Sequence, residues 1–198
     1  NEFTYEQLSI NSGVAKNTIK RYIEYLEAAF LIRVINKIDQ NAKKFKRATV
    51  FKIYLTNPSL RGALFSPIGK DDDFMGNMVE TAIFSQWGHN TGFIPFYARW
   101  KDGEVDIVRL SSEKQKPIWA VEIKWSNRYA KSLQKLSNLK SFCKKNNLDR
   151  TLVTTLDIEE IKEDDGLIYN FTPCSLYCYT VGRNAVDEKL NLTMAITH

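Results

Sequence analysis

The sequence predicts an α/β protein of the α+β kind: an N-terminal helix-turn-helix with a two-stranded wing, then a mixed β-sheet flanked by helices. Three observations carry that expectation. Ile19, Tyr22, Ile23, Leu26 and Phe30 fall at i, i+3, i+4, i+7 and i+11, one helical stripe, and two β-rich runs follow it. Three runs of strand character then come in succession between residues 94 and 124. A segment of helical spacing, Ser132 to Lys145, and a short strand, Arg150 to Thr155, complete an order α-β-β-β-α-β, which implies a mixed sheet with helices against it.

Taken along the chain, Thr4 and Gln7 have the spacing of a capping box and start a short helix through Leu8 to Asn11. Gly13 supplies the break, because it alone enters the left-handed region without a Cβ penalty. A second helix is expected from about Lys16 to Ala29, with Lys16, Asn17, Thr18, Lys20 and Arg21 in its first turns. In helix-turn-helix proteins that part of the recognition helix meets the groove of DNA. The runs Phe30 to Ile38 and Thr49 to Leu55, joined by a loop holding Lys43, Lys44, Lys46 and Arg47, read as the wing. The nucleic-acid-binding candidates are therefore Lys16, Asn17, Lys20, Arg21, Lys43, Lys44, Lys46 and Arg47.

Asn57 to Asp73 reads as a connector, with two prolines, two glycines and the run Asp71-Asp72-Asp73. A helix is expected from Met75 to Trp87, ended by Gly88 and Asn90. Strands follow at Ile94 to Arg99, Glu104 to Leu110 and Ile118 to Lys124. Leu167 to Val181 reads as one or two further strands. The expected division is 1–57 for the winged helix-turn-helix, 58–183 for the sheet domain and 184–198 for a tail or edge strand.

Charge is unevenly distributed. Residues 1–56 hold ten Lys and Arg against five Asp and Glu, an excess equal to the +5 of the whole chain, so a polyanion partner is expected at that end. No apolar run is long enough to span a bilayer, which sets membrane insertion aside. Three cysteines, Cys143, Cys174 and Cys178, are too few and too uneven for a disulfide framework and suit a reducing, cytoplasmic setting. The chain opens on Asn1, as a fragment of a longer protein would.

The chemistry concentrates in Glu104-Val105-Asp106-Ile107-Val108 and Ala120-Val121-Glu122-Ile123-Lys124. Strand alternation predicts that Glu122 and Lys124 share a face, that Glu104 and Asp106 do likewise, and that Val105, Ile107, Val121 and Ile123 face the other way. Acids within a buried sheet are costly unless a cation or ion pair compensates them. Asp106 and Glu122 on adjacent antiparallel strands can converge, and two converging carboxylates suit a hard divalent cation such as magnesium. Such an ion binds a phosphate oxygen and lowers the pKa of a water. Lys124 beside it can orient that water or stabilise developing charge. The bland reading of the same residues is a buried ionic network among Glu80, Asp106, Glu122 and Lys124.

This pattern, Asp followed by Glu-x-Lys on adjoining strands with a Glu on the preceding helix, resembles the PD-(D/E)xK, or restriction-endonuclease-like, nuclease superfamily. The resemblance implies metal ligation (Mg2+ or Mn2+) by Asp106, Glu122 and Glu80 and assistance to hydrolysis by Lys124, with all four as catalytic candidates. Val105 stands where the proline of the motif's name would be. A narrower resemblance covers most of the chain. The order winged helix, Phe51-Lys52-Ile53-Tyr54-Leu55, Gly76 to Glu80, Glu104-Val105-Asp106 and Val121-Glu122-Ile123-Lys124 is similar to the C-terminal half of a prokaryotic family of AAA-type ATPases. It implies an upstream ATP-binding domain in the same polypeptide and leaves homo-oligomeric assembly open to the full-length protein. The chain itself has no Gly-x4-Gly-Lys-Ser/Thr, so ATP belongs to that upstream domain and no further cofactor is expected here.

Other signals are discounted. His89 and His198 support neither a histidine-metal site nor a Ser-His-Asp triad. Cys174 and Cys178 lack two further ligands for zinc, and core packing is their default. Trp119 and Trp125 could stack on bases, but burial against helices is the simpler expectation. Asn127, Arg128 and Lys131 suit either phosphate contact or a solvated helix start. Two functions therefore stand: metal-dependent phosphodiester hydrolysis of nucleic acid, or a non-catalytic DNA- or protein-recognition module serving the ATPase. A transcription regulator with a ligand-sensing domain is a third, weaker alternative.

Overall fold

The computed structural model describes residues 1–42, 50–69, 71–89 and 92–196, with side chains to residue 187. The basic loop with Lys43, Lys44, Lys46 and Arg47 lies outside the described residues. The chain is a mixed α/β structure with one large mixed sheet flanked by helices. In order it runs β1 (Glu2–Phe3), α1 (Tyr5–Ser12), α2 (Lys16–Ala28), β2 (Ile32–Ile38), β3 (Phe51–Leu55), α3 (Ser59–Leu64) and α4 (Met75–Trp87). It continues with β4 (Phe96–Trp100), β5 (Gly103–Leu110), β6 (Pro117–Glu122), α5 (Arg128–Lys131), a 3-10 turn (Leu133–Leu136) and α6 (Ser137–Lys145). The last elements are β7 (Arg150–Thr155), β8 (Glu160–Asp164), β9 (Leu167–Pro173) and α7 (Cys174–Ile196).

Local chemistry sets the first turns. The Thr4 hydroxyl oxygen accepts the Gln7 backbone N–H at 3.0 Å and caps α1. Gly13 ends that helix at φ 70°, with its N–H on the Ser9 carbonyl. Only Ile23 of α2 is buried, while Tyr22, Leu26 and Phe30 of the expected stripe stay exposed.

The sheet order is β1-β3-β2-β4-β5-β6-β7-β9-β8. The hairpin of β2 and β3 joins the rest through a parallel β2–β4 pairing, Asn36 opposite Phe96 and Ile38 opposite Ala98. Segments 1–57 and 58–183 thus share one sheet across the boundary expected at residue 57. Beyond the joint, β4, β5 and β6 are antiparallel, β6 and β7 parallel, and β7 and β9 parallel. One apolar cluster lies between the sheet and α6, around Val105, Val108, Ala120, Leu139 and Phe142. The other lies under α4 and α7, where Ile83, Phe84, Tyr177 and Val181 meet Tyr97, Ile107 and Val121. The inner strands are covered on both faces, so their sequences approach continuous apolar runs.

Several expectations need correction. The stretch after Pro173 is helix and not strand: α7 runs through Ile196, so residues 184–196 form no edge strand. Tyr, Val, Thr and Cys favour strands locally. Cys174, Tyr177, Val181 and Ala185, however, lie at i, i+3, i+7 and i+11 and are all buried, so burial of a helical stripe prevails over propensity. The helix expected at Ser132 to Lys145 is confined to α6, with the 3-10 turn before it. The connector contains α3, and β8 appears as an edge strand. Its charged residues Glu160, Lys162, Glu163 and Asp164 suit an edge, because they discourage pairing with another chain.

The fold makes a stability prediction. Ile83, fully buried where α4 meets the sheet, should lose about 2–5 kcal/mol on change to alanine. Ile10, 77% exposed, should lose no more than about 0.5 kcal/mol. Urea unfolding of both variants checks this; equal losses would contradict the packing of α4.

Candidate metal centre

A β-bulge sets the geometry. Ala98 stands opposite Val105 and Phe96 opposite Val108, so two residues of β5, Asp106 and Ile107, face the single Tyr97 of β4. The expected alternation therefore fails on this strand: Val105 packs on the α6 side and Ile107 on the α4/α7 side. Val121 and Ile123 do share a side, with Ile107. The β5–β6 register, Ile107 opposite Val121, sets Asp106 beside Glu122.

Past Glu122 the backbone ladder gives way to side chains. The Asp106 Oδ2 accepts the Ile123 N–H at 2.8 Å. The Lys124 N–H donates to Thr154 Oγ1 at 2.7 Å, and that hydroxyl donates to the Lys124 carbonyl at 3.1 Å. The Cys174 thiol, at the start of α7, also donates to this carbonyl. Lys124 is thereby pinned to β7 and α7, just beyond the end of β6.

Its ammonium bridges the two acids. Lys124 Nζ lies 2.7 Å from Glu122 Oε1 and 3.6 Å from Asp106 Oδ2, and 5.5 Å from the centroid of the Tyr129 ring. Burial opposes the charge on Lys124, but Asp106 and then Glu122 hold its pKa above the ordinary lysine value. Burial, and then the negative Asp106, push the Glu122 carboxyl up to about 8, against the pull of Lys124. Glu122 Oε2 is buried without a hydrogen-bond partner, which is costly for a carboxyl oxygen.

The sequence-predicted residues are thus partly gathered. Asp106, Glu122 and Lys124 meet. Glu80, on α4, instead takes a hydrogen bond of 2.9 Å from the Tyr54 hydroxyl, and its pKa is raised by burial and by Asp106. Among the described residues, no three Asp, Glu, His or Cys side chains are grouped to hold a metal. Lys52 of β3 was not foreseen. It is only 6% exposed, pairs with Glu104 and lies 5.0 Å from the Tyr97 ring centroid. Burial opposes its charge, while Asp106 and Glu104 more than compensate and raise its pKa. Its signal was the alternation Lys52, Tyr54 within an apolar strand. Thr154 carried none, since a strand threonine has many uses.

Lys16, Asn17, Lys20 and Arg21 are exposed on α2, where Lys16 pairs with Glu6 at 3.0 Å and Lys20 with Glu24 at 3.7 Å. Trp119 packs edge-on against Trp87 and Phe93, and Trp125 packs against the α4/α7-side core. No helix among the described residues is long and apolar enough to cross a membrane.

Residues 1–72 match the model of a family described as a domain of unknown function, DUF8612. No curated protein and no solved structure matches the chain.

The raised Glu122 pKa predicts a pH dependence. Folded, the carboxyl ionises near 8; unfolded, it returns to about 4.5. Between those limits the folded state holds the extra proton, so this group's contribution to stability declines as pH rises through the window. Glu122→Gln should flatten the decline in Tm between pH 5 and 8, measured in EDTA. An unchanged slope would assign the titration to another group.

Proposed function

We propose that this chain is the C-terminal part of an AAA-type ATPase, with α1, α2, β2 and β3 as a winged helix and residues 58–183 as a PD-(D/E)xK nuclease-like domain that hydrolyses phosphodiester bonds. One observation carries the reading: Asp106 and Glu122 stand side by side with Lys124, and Glu122 Oε2 is buried without a partner. The order α4, β4, β5, β6, α6, β7, with three antiparallel strands and a fourth parallel to the third, supports it.

The donor set fits magnesium or manganese, since two carboxylates offer hard oxygens and one of those oxygens lacks a partner. When bound, the ion supplies charge to a phosphate oxygen and acidifies a water. Asp106 and Glu122 would hold it, with Glu80 nearby on α4. Lys124, displaced from the carboxylates, would turn its ammonium toward the phosphate and stabilise the charge that develops there. The backbone bonds to Thr154 keep its main chain in place while the ammonium moves.

A second reading is favoured by the bridge that Lys124 already makes. In it the acids are a structural ion network, and the chain recognises DNA or a protein for the ATPase domain. Lys16, Asn17, Lys20 and Arg21, exposed at the start of α2, suit phosphate contact. Binding would then be salt-sensitive and independent of the acidic site.

Thermal unfolding with manganese separates the two. At a hundredfold excess over Kd, a bound ion adds about 2.7 kcal/mol, or roughly 5–10 °C in Tm for a chain of this size. Asp106→Asn, which keeps an acceptor for the Ile123 N–H, should lose that shift. Lys124→Ala should keep the shift and lose cleavage of DNA or RNA substrates. No shift in the wild-type chain would remove the nuclease reading. Salt-sensitive binding lost in Lys16→Gln/Lys20→Gln/Arg21→Gln would then support the second.

A further inference from the structure

We propose that α5 and the 3-10 turn after it form a ledge for the phosphate backbone of duplex nucleic acid, held by Arg128, Lys131 and Lys135. The ledge needs neither a metal nor hydrolysis, and it is separate from the exposed start of α2.

Charge is the first observation. From Ile123 to Leu148 the sequence holds seven Lys and Arg and no Asp or Glu, while the rest of the chain is slightly acidic in sum. The fold divides these cations. Along α6, Lys140 pairs with Asp164 at 2.7 Å and with Asp165 at 3.4 Å, Lys144 also pairs with Asp165, and Lys145 donates to Gln40 Oε1 at 3.0 Å. Arg128, Lys131 and Lys135 are exposed, and among the described residues none of the three has an acidic partner. Like charges left unanswered on one short segment repel each other, a cost that an anionic ligand removes.

The segment is anchored from below and touches the acidic site. Ala130 and Leu136 are buried and Leu133 packs on the same core, so the cations occupy the outer side. Lys162 of β8 donates to the Ala130 carbonyl at 2.6 Å. Asn127 Oδ1 accepts the Leu156 and Asp157 N–H groups at 3.1 and 3.2 Å, which engages Asn127 with the turn after β7 and away from any phosphate. Tyr129 joins the ledge to Lys124 by direct contact. Lys124 Nζ lies 5.5 Å from its ring centroid and the Arg128 guanidinium 4.8 Å, and Arg128 Nη2 donates to its hydroxyl at 2.8 Å.

The ledge also selects among anionic partners. No large apolar side chain from Ile123 to Leu148 is exposed, so it offers nothing to a membrane interior or to an apolar protein face. Its aromatic residue, Tyr129, is already engaged by two cations, which leaves no open ring for the base stacking that holds single strands. Cationic donors without aromatic or apolar anchors suit the phosphates of a duplex, which position the partner without reading its sequence.

The test is the fluorescence anisotropy of short labelled DNA and RNA duplexes, and of their single strands, titrated with the full 198-residue chain in EDTA at several salt concentrations. Arg128→Gln/Lys131→Gln/Lys135→Gln should unfold within about 2 °C of wild type, as surface changes do. At low salt it should bind duplex about tenfold more weakly, and the slope of log affinity against log salt should fall by about 2.7 on DNA, three contacts at roughly 0.9 each. A loss on one duplex alone names DNA or RNA as the partner. Lys114→Gln/Lys116→Gln/Arg150→Gln removes the same charge from exposed residues at the opposite end of β6 and β7, and should stay within about twofold of wild type. Equal losses in the two triple variants assign the binding to diffuse charge and overturn the proposal. So do an unchanged affinity in the ledge variant, binding of single strands alone, and a wild-type chain that binds no duplex. An unchanged ledge variant leaves the nuclease-type reading, tested by manganese, and recognition through α2 both standing.

Discussion

The end of β6 depends on a carboxylate in place of a strand. Where the β5–β6 ladder stops, Asp106 accepts the Ile123 N–H, and without it that buried donor would have to find another partner. An unpaired buried donor costs about 1–3 kcal/mol. Asp106 can reach it because the bulge gives β5 an extra residue there and turns a side chain that regular alternation would have placed elsewhere. The same acid faces Lys124 and stands beside Glu122. Architecture and chemistry therefore draw on one residue, and the sheet cannot be built without also building much of the site.

The arrangement around it is a contest between burial and charge. Lys52 and Lys124 reach inward from β3 and from beyond β6, toward Glu104, Asp106 and Glu122. Each ion pair offsets a desolvation cost that none of these groups could bear alone. The balance is incomplete at Glu122, whose second oxygen has no partner. That leftover oxygen is a cost the network carries, because a buried carboxyl oxygen without a partner has given up its water for nothing.

Much of this was legible in the sequence where local chemistry and period agree. Thr4 with Gln7, Gly13, the Met75 to Trp87 helix and the strand that ends at Glu122 all belong to that class. Asp106, Glu122 and Lys124 could be paired from spacing because cross-strand neighbours follow from antiparallel order. The bulge could not, since one extra residue against Tyr97 is a property of two strands together. Nor could Lys52, which lies far from Glu104 in the chain and meets it only through the β2–β4 pairing. The α7 helix was readable, its stripe as regular as that of α2, but β-favouring residues obscured it. Asp165-Gly166 was equally readable: both take positive φ, as the tight turn of the β8–β9 hairpin requires.

The parallel joint between β2 and β4 also bears on how the chain is made. Asn36 and Phe96 are sixty positions apart, so the hairpin of β2 and β3 is synthesised well before the strand that receives it. Closing so long a loop costs entropy before any contact repays it. Until β4 emerges from the ribosome, one long edge of β2 is unpaired, open to chaperones and to misassembly with other nascent chains. The seam through which Lys52 reaches Glu104 can therefore close only once the second half of the sheet has been synthesised.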